Sequence, residues 1–258
     1  MTRLADYRVA YMTIVVKEVR RFLRIWVQTV LPAAISTSLY FLIFGHLIGE
    51  RIGDMDGYRY IDFIVPGVIM MAIINNAYSN VVSSFFSAKF QRHVEELLVS
   101  PMPNAIILLG FVSGGIVRGL TVGVAVTAVA AVLSDLQVHN LALILLVALL
   151  TAALFAIGGF INAVYAKSFD DISIIPTFVL TPLIYLGGIF YSLELLPEFW
   201  QGVSLFNPIL YMINAFRYGF LGVSDISLLH SYLIICGFIF GLYLFALHLL
   251  NKGHGIRQ

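Results

Sequence analysis

Six apolar stretches fill most of this 258-residue chain, each long enough to cross a bilayer, with short polar segments between them. A hydrocarbon core of about 30 Å needs about 20 helical residues to span it. The stretches lie at 27–48, 61–83, 105–133, 141–165, 172–191 and 229–250. The runs are continuous rather than alternating at period two, so helices are expected and not barrel strands. Composition agrees, with 60% hydrophobic and 11% charged residues and a mean hydropathy of +0.95. A soluble domain carries about 25% charged residues. An all-α membrane protein of six transmembrane helices, forming one domain over 1–258, is the expectation.

The first apolar run does not read as a signal peptide, because a charged amphipathic segment precedes it and no small-x-small exit follows. The lone cysteine, Cys236, falls in the last span and reads as a small buried hydrophobe. Lys and Arg gather on one side of the predicted membrane. Arg3, Arg8, Lys17, Arg20, Arg21 and Arg24 precede the first span, Lys89, Arg92 and Lys167 occupy inner loops, and Lys252 and Arg257 lie in the tail. Arg51, Arg59 and Arg217 fall on the other side, among Glu50, Asp54, Asp56, Asp135, Glu194, Glu198 and Asp225. Both termini are therefore expected in the cytoplasm, as an even number of spans also requires.

Several segments carry further signals. Leu4, Tyr7, Tyr11, Val15, Val19, Phe22 and Trp26 recur at helical spacing, with Lys17, Arg20, Arg21 and Arg24 on another face. Residues 1–26 thus read as a helix in the cytoplasmic interface or packed on a partner protein. The third span holds two four-residue glycine relays, Gly110/Gly114 and Gly115/Gly119/Gly123; Gly237 and Gly241 form another in the last span. Such relays let helix backbones approach closely. In the second span, Asn75/Ser79/Ser83 and Asn76/Asn80/Ser84 form polar ladders, which serve either interhelical hydrogen bonds or a substrate path. Arg118, inside the third span, either snorkels or pairs structurally, or serves transport. Pro176 and Pro182 predict a bent fifth span. Residues 192–228 are too apolar for an ordinary loop. Pro197 opens one short helix, and Asn207-Pro208 caps a second that runs to about Leu221. That second helix is too short to cross, so the pair reads as a re-entrant hairpin entered from outside, with Trp200, Tyr211 and Tyr218 at interfacial level.

Chemistry on the chain is sparse. His46, His93, His139, His230, His248 and His254 are scattered, without metal-ligand spacing. No P-loop exists, because none of the four lysines follows glycine. Uphill work would need ion coupling or an external ATPase. The spans lack the buried carboxylates a proton relay favours, and the halves show no convincing inverted repeat. An ion-coupled secondary transporter or channel is therefore the rival reading. The inner loop from Lys89 to Asn104 becomes the segment of interest: Phe90, Val94, Leu97 and Leu98 form an apolar stripe beside Lys89, Arg92, Glu95 and Glu96, and Pro101 and Pro103 end it.

The run Leu186-Gly-Gly-Ile-Phe-Tyr-Ser-Leu-Glu-Leu-Leu-Pro197-Glu-Phe-Trp200, followed by Asn207-Pro208 and Tyr211, closely resembles the hallmark of bacterial ABC-2 type permeases. Phe63-Ile-Val-Pro66-Gly67 and the stretch from Arg92 through Glu95-Glu96-Leu-Leu-Val-Ser-Pro101 match as well. The likeness covers essentially the whole chain. It implies the non-catalytic membrane subunit of an ATP-binding-cassette exporter in the bacterial inner membrane. Two copies would pair with two cytoplasmic ATPases, which alone carry ATP and Mg; membrane lipids are the other partners and nucleic acid is not one. The substrate would be an amphipathic drug, lipid or lipid-linked glycan. The resemblance makes Lys89, Arg92, Glu95, Glu96 and Leu97 a coupling helix seated in the ATPase, although family members often carry Gly-Thr where this chain reads Arg92-His93-Val94-Glu95. It makes 1–26 a connecting helix, and the hairpin with Glu194, Pro197, Trp200, Asn207, Pro208, Tyr211 and Arg217 an outer gate. Asn75, Asn76, Asn80, Ser83 and Arg118 are the candidate pathway residues.

Overall fold

A computed structural model describes residues 3–55, 57–253 and 255. The side chains of Arg3, Leu4 and His46, together with Asp56, His254 and Arg257, lie outside the described residues, so the readings placed on them are not taken further. In chain order the helices are α1 (Arg3–Arg24), α2 (Trp26–Tyr40), α3 (Gly49–Ile52), α4 (Tyr60–Phe90), α5 (His93–Val99), α6 (Asn104–Leu133) and α7 (Leu141–Tyr165). They continue with α8 (Asp171–Ile175), α9 (Thr181–Tyr185), α10 (Glu198–Leu205), α11 (Pro208–Leu221) and α12 (Leu228–Lys252). A two-residue antiparallel ribbon, β1 (Asp54–Met55) and β2 (Tyr58–Arg59), joins α3 to α4.

Among the described residues, five helical stretches are long and apolar enough to cross a membrane: Trp26–Ile52, α4, α6, α7 and α12. The fifth expected span, 172–191, is a shorter apolar helix, Asp171–Tyr185. It is built from α8, a π-helical turn over Pro176–Leu180, and α9, five residues each. At 1.5 Å per residue it measures about 22 Å, short of a bilayer core. Its π-helical turn begins at Pro176, which has no N–H to continue the ladder. Its end falls before Gly188, whose φ of +77° turns the chain left-handed.

α4 is the axis of the fold. Its most apolar stretch is 83% buried, and it packs against α6, α7 and α11. Close approach explains why so many of its neighbours are glycines. A Cβ on Gly115 would stand 2.5 Å from Val81, 2.9 Å from Ala156 and 3.0 Å from the Ala77 carbonyl oxygen, so α4, α6 and α7 meet at that point. A Cβ on Gly159 would lie 2.5 Å from the Tyr78 carbonyl oxygen. One turn further along, Phe85, Phe111 and Phe160 fill the space between the same three helices, with centroids 4.2–6.5 Å apart. The relay at Gly237 and Gly241 differs: nothing lies within 4 Å of either position, so that face of α12 is unpacked in the single chain. Cys236, expected to be buried, is exposed on this helix.

The stripe predicted on α1 is displaced: of its members Phe22 is buried, Tyr7, Tyr11, Val15 and Val19 are half-buried, and Trp26 is exposed. The buried line is Ile14, Glu18 and Phe22, at 6%, 0% and 2% exposure, and α1 packs along α6. Ile14 fits against Gly110 and Glu18 against Gly114, while the Tyr11 hydroxyl and Ser113 Oγ are 2.8 Å apart. The first glycine relay of α6 is therefore the seat of α1.

Candidate functional site

Three groups of side chains stand out, at the two ends of α4 and along its polar ladder. At its C-terminal end, α4 extends to Phe90, seven residues beyond the expected 83. Arg92 then adopts a left-handed conformation (φ 62°), which breaks the helix and redirects the chain into α5. A non-glycine residue at positive φ is uncommon and marks an over-determined turn. Val94 is buried as the root of α5, Leu97 and Leu98 are partly buried against the core, and Arg92, Glu95 and Glu96 are exposed. Phe90, assigned to the same stripe, ends α4 instead and is 63% exposed.

Lys89 turns the other way. Its Nζ donates to the carbonyls of Val164 and of Ala166 (2.8 Å), with Ala163 at 3.4 Å, so the amine caps the C-terminus of α7. A cation there meets both unpaired carbonyls and the negative end of the helix dipole. Beside it a cavity of about 210 Å³ is lined by Phe86, Lys89, Phe90, Arg92, Glu95 and Lys167. The following turn is held by Asp171, which accepts from the Lys167 (2.8 Å) and Ser168 (3.1 Å) backbone N–H groups. Those bonds hold its carboxyl below the usual aspartate range.

Along α4, every rung of one polar ladder takes a charged partner. Ser84 Oγ donates to Glu18 Oε1 (2.7 Å), Asn80 Oδ1 accepts from Arg21 (2.8 Å), and Asn76 Oδ1 accepts from Arg118 (3.4 Å). Arg21 also donates to the Asn80 carbonyl (2.9 Å) and stands 3.4 Å from Glu18 Oε2. Sequence reading placed Asn76, Asn80 and Ser84 on one face but gave Glu18 no role. A carboxylate at a seven-residue remove from Tyr11, between Ile14 and Phe22, was the available signal.

The other ladder behaves differently. Ser83 donates to the Ser79 carbonyl of its own helix (2.7 Å). Asn75, with Asn76 and Arg118, lines a groove of about 410 Å³ between α2, α4, α6 and α9. Among the candidate pathway residues, Asn75, Asn76 and Arg118 thus share a cavity, whereas Asn80 is fully buried and Ser83 bonds to its own backbone.

At the N-terminal end of α4, two short helices follow Gly188. Asn207 Oδ1 accepts from Ile209 N (3.0 Å) at the start of α11, and its Nδ2 donates to Leu183 O (2.6 Å). Pro208 occupies the first turn of α11, and the Tyr211 hydroxyl donates to Leu205 O (2.7 Å), tying α11 to α10. Glu194, Pro197 and Trp200 are exposed. Arg217, assigned from sequence to the second hairpin helix, is 1% exposed inside α11. It donates to Gly188 O and lies 3.9 Å from the Phe63 ring centroid. Nearby, Arg59 bonds Asp62 (2.8 Å) and Asp135 (2.6 Å), and these carboxylates, Asp62 first, raise its proton affinity.

The family model described as ABC-2 type transporter matches residues 9–221. The chain belongs to that family: it is a transmembrane transporter subunit and not a catalytic enzyme. It is 56% identical over 252 residues, 98% of each chain, to the inner membrane transport permease YadH of Escherichia coli (strain K12). It is also 26% identical over 217 residues, 83% of each chain, to nodulation protein J of Rhizobium leguminosarum bv. viciae.

Proposed function

We propose that this chain is the inner-membrane permease of an exporter for an amphipathic substrate, with both termini cytoplasmic and its power drawn from a separate ATP-binding-cassette ATPase that carries ATP and Mg. Two copies pair with two ATPases. The observation that carries the reading is α5. It is a seven-residue helix set off from α4 by the left-handed Arg92, rooted by Val94 and presenting Arg92, Glu95 and Glu96 outward. A lever of this kind transmits a push on α5 into α4, which packs against α2, α6, α7 and α11. Lys89 extends the lever to α7. Alternating access then follows from rocking α4 and its neighbours as bodies, because packed helices shift between discrete arrangements rather than deform. The hairpin α10–α11 closes the outer mouth, and Asn75, Asn76 and Arg118 face the route.

Charge reversal tests the docking. The double variant Glu95→Lys, Glu96→Lys should lose co-purification with the ATPase and drug- or lipid-stimulated hydrolysis while the bundle remains folded. Unchanged co-purification and hydrolysis would remove α5 from the coupling role.

A further inference from the structure

Arg118 is short of a negative charge. Its Nη2 makes one long bond to Asn76 (3.4 Å), and its buried Nε has no hydrogen-bond partner among the described residues. The ion pairs formed by the described residues use Glu18, Asp62 and Asp135, and none of these reaches Arg118. The charged side chain on the next rung of the ladder, Arg21 at Asn80, has the same sign. Glu18 cannot serve both arginines, since it already faces Arg21 at 3.4 Å and Lys17 at 3.9 Å. A guanidinium held in a membrane protein without a counter-charge is costly unless it faces a wet cavity or a ligand that supplies one.

The surroundings fix what that ligand looks like. Because α1 runs alongside α6, with Ile14 at Gly110 and Glu18 at Gly114, Arg118 comes one turn further, level with the junction of α1 and α2. Arg118 lies midway along α6, and Trp26 opens α2 at that level. Besides Arg118, the 410 Å³ groove mixes polar Gln28, Asn76 and Thr181 with apolar Pro32, Met71 and Ile184. Tyr40 and Tyr185, whose hydroxyls meet at 3.2 Å, also line it.

We infer that the groove between α2, α4, α6 and α9 binds the anionic head of an amphiphile, a phosphate or carboxylate, on Arg118, with the tail laid along α2. This deepens the export reading and rests on it for the ligand's onward movement, though not for its binding. A planar guanidinium suits bidentate contact with such oxyanions.

The test uses the full-length permease in nanodiscs of phosphatidylcholine, with and without its ATPase. It is titrated with dodecyl phosphate and with dodecyl maltoside, whose tail is the same and whose head is uncharged. Dodecyl phosphate should bind about tenfold more tightly, a difference of about 1.4 kcal/mol. Arg118→Gln should abolish that preference and Arg118→Lys should retain part of it. Asn76→Asp should abolish it with the arginine intact, because the new carboxylate supplies the missing charge from within; this arm stands even where Arg118→Gln fails to fold. Two further arms separate the sources of the anion, both consistent with the site. Competition by added phosphatidylglycerol identifies a bilayer lipid, and competition by inorganic phosphate identifies a soluble anion. Equal affinity for the two amphiphiles in the wild-type protein, or an Asn76→Asp variant that binds dodecyl phosphate as well as wild type, overturns the inference. Loss of ATPase binding or of transport with the preference intact would count against the export reading alone.

Discussion

Glu18 and Ser84 share a hydrogen bond of 2.7 Å, and both side chains are buried where α1 meets α4. A carboxylate in that position is tolerated because Ser84 donates to it and Arg21 stands against its second oxygen. The three groups fasten the N-terminal helix to the centre of the bundle. α1 is therefore part of the packed domain and not a surface appendage.

Glu18→Ala should destabilise the permease by about 2 kcal/mol. Removing one member of a buried charged pair costs about 3–5 kcal/mol, and the lower figure reflects Arg21, which is 31% exposed and regains water. Glu18→Gln keeps an acceptor for Ser84 and should lose less than half as much. Thermal unfolding in one detergent, compared across the three proteins, measures both.

Two glycine substitutions should part sharply. A Cβ at position 159 lies 2.5 Å from the Tyr78 backbone oxygen, so Gly159→Ala must push α4 and α7 apart, at a cost of about 1–3 kcal/mol. Gly237 has open space around it, and Gly237→Ala should be neutral or stabilise by up to about 1 kcal/mol through helix propensity. Melting temperatures of the two variants give the comparison directly.

The Asp171 turn should respond to acid in one direction. Its carboxyl is held below the usual range by the Lys167 and Ser168 donors, so the ionised form is favoured by folding. The stabilisation is fully present above the unfolded-state value and is lost as pH falls through the lower folded one. Protection of the Lys167 and Ser168 amides, relative to their intrinsic exchange at each pH, should be high at neutral pH and fall only in acid. In Asp171→Asn it should be low at both.

The fold was legible where the signal was length or capping. The long apolar runs reappear as helices, and Asn207-Pro208 opens α11 as its cap chemistry requires. Length also misled. Residues 186–191 are apolar enough to extend the fifth span, yet Gly188 at positive φ ends it, because hydropathy does not register backbone conformation. In α4 the helix continues past 83 because Phe85 and Phe86 pack inward, beyond the point where a membrane rule would stop it. Of the candidate site, the Asn76/Asn80/Ser84 face was visible as an i, i+4 ladder. Its partners were not: Glu18, Arg21 and Arg118 come from helices far apart in sequence, and no local pattern pairs them. Lys89 was assigned outward by its place in a charged loop, but its long stem lets the amine turn back onto the end of α7.

Arg217 offers the sharpest test of the outer end. It joins α11 to the turn at Gly188 through a hydrogen bond and to α4 through the Phe63 ring face at 3.9 Å. Lysine keeps the charge but lacks the flat group that stacks on a ring while donating sideways. Arg217→Lys should therefore cost about 2 kcal/mol, near the upper range for a desolvated cation over an aromatic face. Phe63→Leu removes the ring and leaves the bond to Gly188. If the two residues act through their stacking, the double variant should lose less than the sum of the singles by about 1 kcal/mol. Strictly additive losses, measured by thermal unfolding of all four proteins, would show that Arg217 holds the turn through its hydrogen bond alone.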